Sequence, residues 1–145
     1  MKLKKFTAIF LAAVLALGIL GGTVASADEG AATSPVAGKK IAYIMLMTPA
    51  TIFQMWAEHF TDTANKLGME ADVFFCDDNA ETWQDRISQC ADAGYDGLMV
   101  SHGGQEYAWS FLSGILEKHP DLKIVTFDTP FKDENGDVAK IDGVT

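Results

Sequence analysis

Basic residues are scarce in this chain, and their shortage limits the kinds of partner it can bind. Lysine and arginine number 11 against 20 aspartates and glutamates, which gives a formal net charge of −9. Three of the lysines lie within residues 1–27, so residues 28–145 carry 8 basic and 20 acidic side chains, a net charge of −12. An acidic surface of this kind repels phosphate backbones, so nucleic acid is not an expected partner.

Cysteine is also rare, since Cys76 and Cys90 are the only two. In an exported protein they can form a disulfide, or they can remain two buried thiols, and the spacing alone leaves both open. No Cys-x-x-Cys pair or histidine cluster accompanies them, as a zinc site would require. The G-x-G-x-x-G and Walker lysine patterns are absent as well, so we predict no cofactor and no metal.

Only one long hydrophobic run is present, and it lies within residues 1–27. Lysines at positions 2, 4 and 5 precede the apolar residues 10–20, and the small residues Ala25-Ser26-Ala27 follow. This order is typical of a secretory signal peptide, and we expect cleavage after Ala27. The alternative, a membrane anchor, needs about 20 apolar residues, more than this run supplies before Gly21. The sequence therefore predicts a periplasmic or otherwise secreted protein.

The remainder divides into a flexible lead-in at 28–38 and one ordered region at 39–145. Apolar runs predict strands at 40–47, 70–76, 97–101 and 122–127, with a fifth starting at 138. Helical spacing predicts helices at 51–67, 80–93 and 105–118. This alternation indicates right-handed βαβ crossovers and an α/β fold, a three-layer open parallel sheet with strand order 2-1-3-4-5.

Apolar stripes on the first two helices predict which side chains reach the core. Asn79 is placed to cap the second helix, while Gly68 and Gly94 are placed to end the first and second helices in a left-handed conformation. The stripe of the first helix consists of Phe53, Trp56, Ala57, Phe60, Ala64 and Leu67, and that of the second consists of Trp83, Ile87, Cys90 and Ala91.

Four loops at the carboxyl ends of the strands form the predicted ligand crevice, as expected for an open parallel sheet. These loops are 48–53, 77–80, 101–105 and 128–131, and they hold carboxylates, hydroxyls, an amide, a histidine and an aromatic ring. Carboxylates accept bonds from hydroxyl groups and aromatic faces cover sugar rings, so this mixture suits an uncharged, polyhydroxylated ligand. Asp128 directly follows an apolar strand and needs partners, which a ligand can supply. Asp77 and Phe53 also have structural interpretations, at a helix start and in the core respectively.

Enzymatic chemistry finds little support. His102 precedes Gly103-Gly104 at a strand-to-helix turn, but no nucleophile visibly completes a triad with it. A secreted hydrolase that uses His102 with a nearby carboxylate is the alternative, and loss of turnover in a His102→Ala variant would reveal it. We therefore expect no enzyme activity.

The ordered region resembles the sugar-type (type I) periplasmic binding proteins of ABC importers, the group of the ribose- and galactose-binding proteins. Three segments carry the resemblance: KKIAYIMLMTPATIFQMWAEHFTDTANKLGM at 39–69, CADAGYDGLMVSH at 90–102 and KIVTFDT at 123–129. The resemblance implies a protein that closes two lobes around a sugar and delivers it to a membrane permease. A monomer is expected, and a ligand-sensing subunit of a membrane receptor is the alternative.

The same resemblance implies roles for particular residues. Ligand contacts after the first strand fall on Thr51, Ile52 and Phe53, with Ile52 in place of a stacking ring. The aspartate after the fourth strand matches Asp128, and Thr129 stands where an arginine often follows. The third-strand loop that borders the ligand corresponds to Ser101 and His102. With Asp77 from the second loop, these eight residues are the predicted binding site.

Family members are about twice as long, with the chain crossing between lobes near the position of Thr145. The expectation is therefore that this chain is a truncated N-terminal lobe of such a protein. Many relatives carry a lipid-attachment cysteine after the cleavage site, whereas Asp28 stands there in this chain, which favours a freely diffusing form.

Overall fold

Four strands alternate with three helices along the ordered part of the chain. The computed structural model describes residues 34–101, 103–104, 107–128, 130–138 and 143–144. The elements are β1 (Lys40–Met45), α1 (Thr51–Lys66), β2 (Glu70–Phe75), α2 (Ala80–Asp92), β3 (Gly97–Ser101), α3 (Ala108–Lys118) and β4 (Lys123–Phe127). The first four predicted strands and the three predicted helices are confirmed to within a few residues at their ends.

All four strands pair in parallel, in the order β2-β1-β3-β4. The predicted α/β class and the 2-1-3-4 part of the predicted order are therefore confirmed. The predicted fifth strand falls mainly on 139–142, which lie outside the described residues. Beside that gap, Val144 forms an isolated parallel bridge with Ile124, which is the side of β4 that the predicted order assigns to a fifth strand.

One face of the sheet is covered by α2 and α3. Alternate residues of β1, β3 and β4 point to this side, and the stripe predicted for the second helix is fully buried there. The main members of this core are Ala42, Ile44, Trp83, Ile87, Cys90, Leu98, Val100, Leu112, Ile115 and Ile124. Continuous burial of both alternating sets in β1 explains its nearly unbroken apolar sequence.

Among the described residues, α1 is the helix that packs on the other face of the sheet, and it covers that face only in part. The stripe predicted for α1 is wrong in extent: Ala64 is its only buried member, and Leu67 is 39% exposed. On the uncovered half of the sheet, Val125 is 44% exposed and Phe127 is 37% exposed. A groove of about 390 Å³ runs between α1 and β4, lined by apolar side chains that include Trp56, Phe60 and Phe127.

Helix ends follow the sequence signals. The Asn79 side chain accepts a hydrogen bond from the Thr82 N–H at 2.8 Å and so caps α2. Gly68 and Gly94, after α1 and α2, have φ angles of +75° and +76°, the left-handed conformation expected of them. No helix within the described residues is both long enough and apolar enough to span a membrane.

Polar contacts tie the amino ends of the strands together. The Asp96 carboxylate accepts hydrogen bonds from Lys39 Nζ at 2.7 Å and from the Lys40 backbone N–H at 2.8 Å. These bonds hold the pKa of Asp96 below its usual value. Nearby, the Tyr95 hydroxyl donates to Asp72 at 2.5 Å. This end of the sheet is thus locked by structural contacts.

Candidate functional site

The carboxyl edge of the sheet carries unusual backbone geometry. Asp77, Asp78 and Asp128 have φ angles of +50°, +59° and +66° and are the only non-glycine residues with positive φ in the described part of the chain. A left-handed backbone costs roughly 1–2 kcal/mol for a residue with a side chain, although aspartate tolerates it better than most. Such strain tends to occur at functional sites, and here all of it follows the ends of β2 and β4.

The first two loops of this edge are joined by hydrogen bonds. Thr48 Oγ1 donates to Asp78 Oδ2 at 2.8 Å, and the Asp78 backbone N–H donates to the Leu46 carbonyl at 2.7 Å. The second bond arises because the chain bends at Leu46, so β1 ends at Met45 rather than at the predicted residue 47. Asp78 is therefore a fixed structural link, although both it and Asp77 are exposed.

The start of α1 lies at the same edge. Its N-cap, Ala50, makes no side-chain hydrogen bond to the first turn, and the Gln54 N–H donates to the Ala50 carbonyl at 2.9 Å. Thr51 and Ile52 are exposed at this position. Their backbone N–H groups and the positive end of the helix dipole can bind ligand oxygens.

Aromatic rings connect the start of α1 to the end of β4. The centroids of the Phe53 and Trp56 rings are 5.4 Å apart, and those of Trp56 and Phe127 are 5.1 Å apart in an edge-to-face arrangement. Phe127 directly precedes Asp128, whose side chain is exposed. Phe53 and Asp128 are thereby placed on the same side of the carboxyl edge, with an aromatic surface between them.

Two glycines allow the loop after β3 to lie close against the core. A Cβ atom on Gly103 would lie 2.6 Å from the Trp83 ring, and one on Gly104 would overlap the Tyr107 ring. The Gly104 N–H also donates to the Tyr107 hydroxyl at 3.2 Å. The two glycines therefore allow the loop to lie close to aromatic rings, which explains a pair that matches no phosphate-binding motif.

Ser101, at the end of β3, lies beneath this surface. Its side chain is 0% exposed, and its hydroxyl donates to the hydroxyl of Tyr43 at 3.3 Å. The Tyr43 ring is buried and contacts the rings of Phe60 and Phe127. Ser101 thus contacts a buried phenol rather than the open edge.

Of the eight predicted site residues, His102 and Thr129 lie outside the described residues. Thr51, Ile52, Phe53, Asp77 and Asp128 all occupy the carboxyl edge, and Ser101 lies below it. Sequence reasoning missed the link between Thr48 and Asp78 and the pair of Tyr43 with Ser101. The sequence did offer a signal for the pair of Tyr43 with Ser101. Tyr43 lies within an apolar strand, and a buried tyrosine hydroxyl needs a polar partner.

Both cysteines are free and buried, which corresponds to the second of the two possibilities that the sequence left open. Burial raises the pKa of Cys76 to about 11 and also raises the pKa of Cys90, so neither thiol is an activated nucleophile. Within the described residues, no group of three or more His, Cys, Asp or Glu side chains is arranged to hold a metal ion.

No protein-family model and no curated protein sequence matches this chain. Solved structures do match it in fold. A sugar ABC transporter protein from Yersinia enterocolitica has a TM-score of 0.64 at 22% identity, covering 74% of this chain and 30% of that one. A periplasmic ribose ABC transporter protein from Conexibacter woesei has a TM-score of 0.61 at 19% identity, covering 70% and 33%.

A third match is the solute-binding protein of a 5-methylthioribose transporter from Thermotoga lettingae, solved with 5-methylthioribose. Its TM-score is 0.60 at 16% identity, covering 72% of this chain and 30% of that one. The chain thus spans about a third of the length of these structures. The parallel 2-1-3-4 sheet with helices on both faces has the fold of one lobe of a type I periplasmic binding protein.

Proposed function

We propose that this chain is part of an extracytoplasmic solute-binding protein that captures a neutral sugar or related polyol for an ABC importer. In this role the carboxyl edge of the sheet forms one wall of a cleft, and a membrane permease receives the ligand. What supports the proposal is that Phe53, Asp77 and Asp128 all follow the carboxyl ends of strands, in a fold shared with sugar ABC transporter proteins.

The chemistry of the edge favours an uncharged ligand. The exposed carboxylates of Asp77 and Asp128 accept hydrogen bonds from sugar hydroxyls, while the N–H groups at the start of α1 donate to them. Phe53 offers an apolar ring surface to the carbon side of a sugar. A phosphorylated sugar would meet two carboxylates, so its charge opposes binding.

One wall of a cleft buries a ligand on one side only. Pockets that bind small molecules tightly cover most of the ligand surface, and lobe closure supplies the second wall in two-lobed proteins. We therefore expect this chain alone to bind a monosaccharide weakly, so the experiment must detect a low affinity.

The test is an NMR titration of residues 28–145 with D-ribose, D-galactose and D-glucose, with glucose 6-phosphate as a charged comparison. We expect amide shifts for at least one neutral sugar to cluster at 48–53, 77–80, 101–104 and 128–131. Asp128→Ala should weaken that binding roughly tenfold, about 1.5 kcal/mol, because a hydrogen bond to a charged acceptor is lost.

Asp121→Ala is the matched control, since Asp121 is an exposed aspartate at the opposite, amino end of β4. It should leave sugar binding unchanged. Equal affinity in the Asp128→Ala variant would remove Asp128 from the site. Absence of binding by every neutral sugar, or binding that clusters at the amino ends of the strands, would refute the proposed function for this chain.

A further inference from the structure

Among the described residues, Trp83 carries the one buried side-chain nitrogen or oxygen without a hydrogen-bond partner. Its ring is 0% exposed, and no described atom accepts a hydrogen bond from its indole Nε1–H. Buried polar groups in folded proteins are nearly always hydrogen-bonded, and an unpaired one costs free energy because its bonds to water are lost. A phenylalanine would supply an apolar ring without that cost, so the indole calls for an explanation beyond core packing.

The surroundings of the Trp83 ring are aromatic. The rings of Tyr107, Phe111 and Phe131 lie around it, at centroid separations of 6.4, 6.1 and 6.4 Å. Aromatic rings are weak hydrogen-bond acceptors. The Tyr107 hydroxyl, the polar group among these rings, accepts the Gly104 N–H at 3.2 Å instead. The aromatic cluster therefore offers the Trp83 N–H no good acceptor.

The fold places Trp83 at the inner side of the candidate site. It lies in the first turn of α2, where its backbone N–H donates to the Asn79 carbonyl at 3.0 Å, and Asn79 directly follows the left-handed Asp77 and Asp78. On the other side, a Cβ atom on Gly103 would lie 2.6 Å from Cζ2 and Cη2 of the indole. Cζ2 belongs to the same edge of the ring as Nε1, so the N–H borders the loop that follows β3.

Gly103 covers this edge of the indole with backbone atoms, since it has no side chain. Glycine backbone moves with less steric restriction than that of other residues, and a shift of Gly103 away from the ring uncovers the N–H. An oxygen that binds there gains a full hydrogen bond, because the donor is not already satisfied. A hydroxyl oxygen accepts such a bond, whereas a phosphate meets the repelling charges of Asp77 and Asp128 at this edge.

We propose that the Trp83 indole N–H is unpaired in the free protein and donates to a hydroxyl oxygen of a bound polyol when Gly103 moves off the ring. Trp83 is then a binding residue at the inner end of the candidate site as well as a member of the core. The identification of the polyol as a sugar rests on the proposed function, whereas the unpaired state of the N–H in the free protein does not.

The experiment follows the Trp83 indole Hε1 resonance by NMR in residues 28–145. The protein is studied free, then titrated with D-ribose, D-galactose and D-glucose, and separately with glycerol. Glycerol is the probe for hydroxyl binding at Trp83 that does not require the site to fit a sugar ring. The half-buried Trp109 of α3 supplies an internal reference in the same spectra.

In the free protein the Trp83 Hε1 should resonate upfield of a hydrogen-bonded indole proton, because no acceptor deshields it. Saturation with glycerol, or with the sugar that binds, should move it downfield by more than the Trp109 Hε1 moves. The Gly103 amide should shift in the same titration. A tryptophan that acts only in core packing would show no such response.

Two substitutions separate the N–H donor from the packing of the ring. Trp83→Phe keeps an aromatic ring and removes the N–H, so it should weaken sugar binding roughly fivefold, as expected for one lost hydrogen bond. Phe111→Leu loosens the same aromatic cluster and keeps the N–H, so it should leave the dissociation constant unchanged.

A Trp83 Hε1 that already resonates as a hydrogen-bonded proton in the free protein would overturn the proposal, since the chain would then supply the acceptor. An Hε1 that stays unchanged at saturation with glycerol and sugar would do the same, as would equal weakening of sugar binding by Phe111→Leu. If Trp83→Phe fails to fold, the wild-type resonance decides. If no neutral sugar binds, the proposed function fails, and the free-state resonance with the glycerol titration still decides the role of Trp83.

Discussion

At the scale of single residues, the two glycines after β3 occupy positions where the surrounding structure leaves no room for a side chain. A Cβ atom on Gly103 would lie 2.6 Å from ring atoms of Trp83, which is fully buried among other aromatic rings. Gly103→Ala should therefore lower the free energy of unfolding by about 1–3 kcal/mol, the usual cost of overpacking a core. Denaturant unfolding of residues 28–145 measures this change.

Gly114→Ala is the matched control for that substitution. Gly114 lies inside α3, and no described atom comes within 4 Å of the position its Cβ would take. Alanine there should raise the free energy of unfolding by about 0.5–1 kcal/mol, because it restricts the unfolded chain and favours helix. Equal stability of Gly103→Ala and wild type would mean that the loop does not lie against Trp83 in solution.

Residue identities predicted which side chains lie at the carboxyl edge better than they predicted the contacts among them. Asp128 was identified because an aspartate after an apolar strand needs a partner, and the structure adds its left-handed backbone. Ser101 was expected to border the ligand, but its depth depends on where Tyr43 directs its hydroxyl. Such a contact joins residues 58 positions apart, and local sequence patterns carry no information about it.

At the scale of elements, β4 separates a covered face of the sheet from an open one. Ile124 is 1% exposed in the core beneath α2 and α3, while its neighbour Val125 is 44% exposed on the other face. Val125→Lys should change the free energy of unfolding by no more than about 0.5 kcal/mol. Ile124→Lys should remove more than about 4 kcal/mol, because it buries a charge with no partner.

Thermal unfolding of the two variants side by side measures this contrast, since both introduce the same side chain on the same strand. A large destabilisation by Val125→Lys would show that the α1 side of β4 is covered in solution. Similar, small effects from both substitutions would contradict the assignment of Ile124 to the core.

The helices and strands were predictable because the spacing of their apolar residues agrees with the residues that begin and end them. The apolar stripes of the first two helices, together with signals such as Asn79 and Gly94, predicted boundaries that the structure reproduces to within a few residues. The extent of burial was not predictable for α1. An apolar stripe shows which side of a helix faces the sheet, but coverage depends on what else packs on that face, and β4 is left open there.

At the scale of the whole molecule, strand-helix alternation was enough to predict the fold class and the order of the first four strands. Right-handed crossovers leave few arrangements for such a chain. The chain spans about a third of the length of the similar structures, so the function proposed for it depends on a second wall that this lobe does not supply. The proposed role also requires export, which the sequence of residues 1–27 predicts.

Export gives a prediction for the complete chain. When it is produced in a bacterium with a secretory pathway, the exported protein should begin at Asp28, and mass spectrometry of the secreted or periplasmic fraction measures this. Ala27→Leu should abolish processing, because a large residue at the cleavage site does not fit a peptidase that requires small ones. Ala31→Leu introduces the same side chain four residues later and should be processed normally. Retention of residues 1–27 in the exported wild-type protein would contradict the predicted cleavage and with it a freely diffusing binding protein.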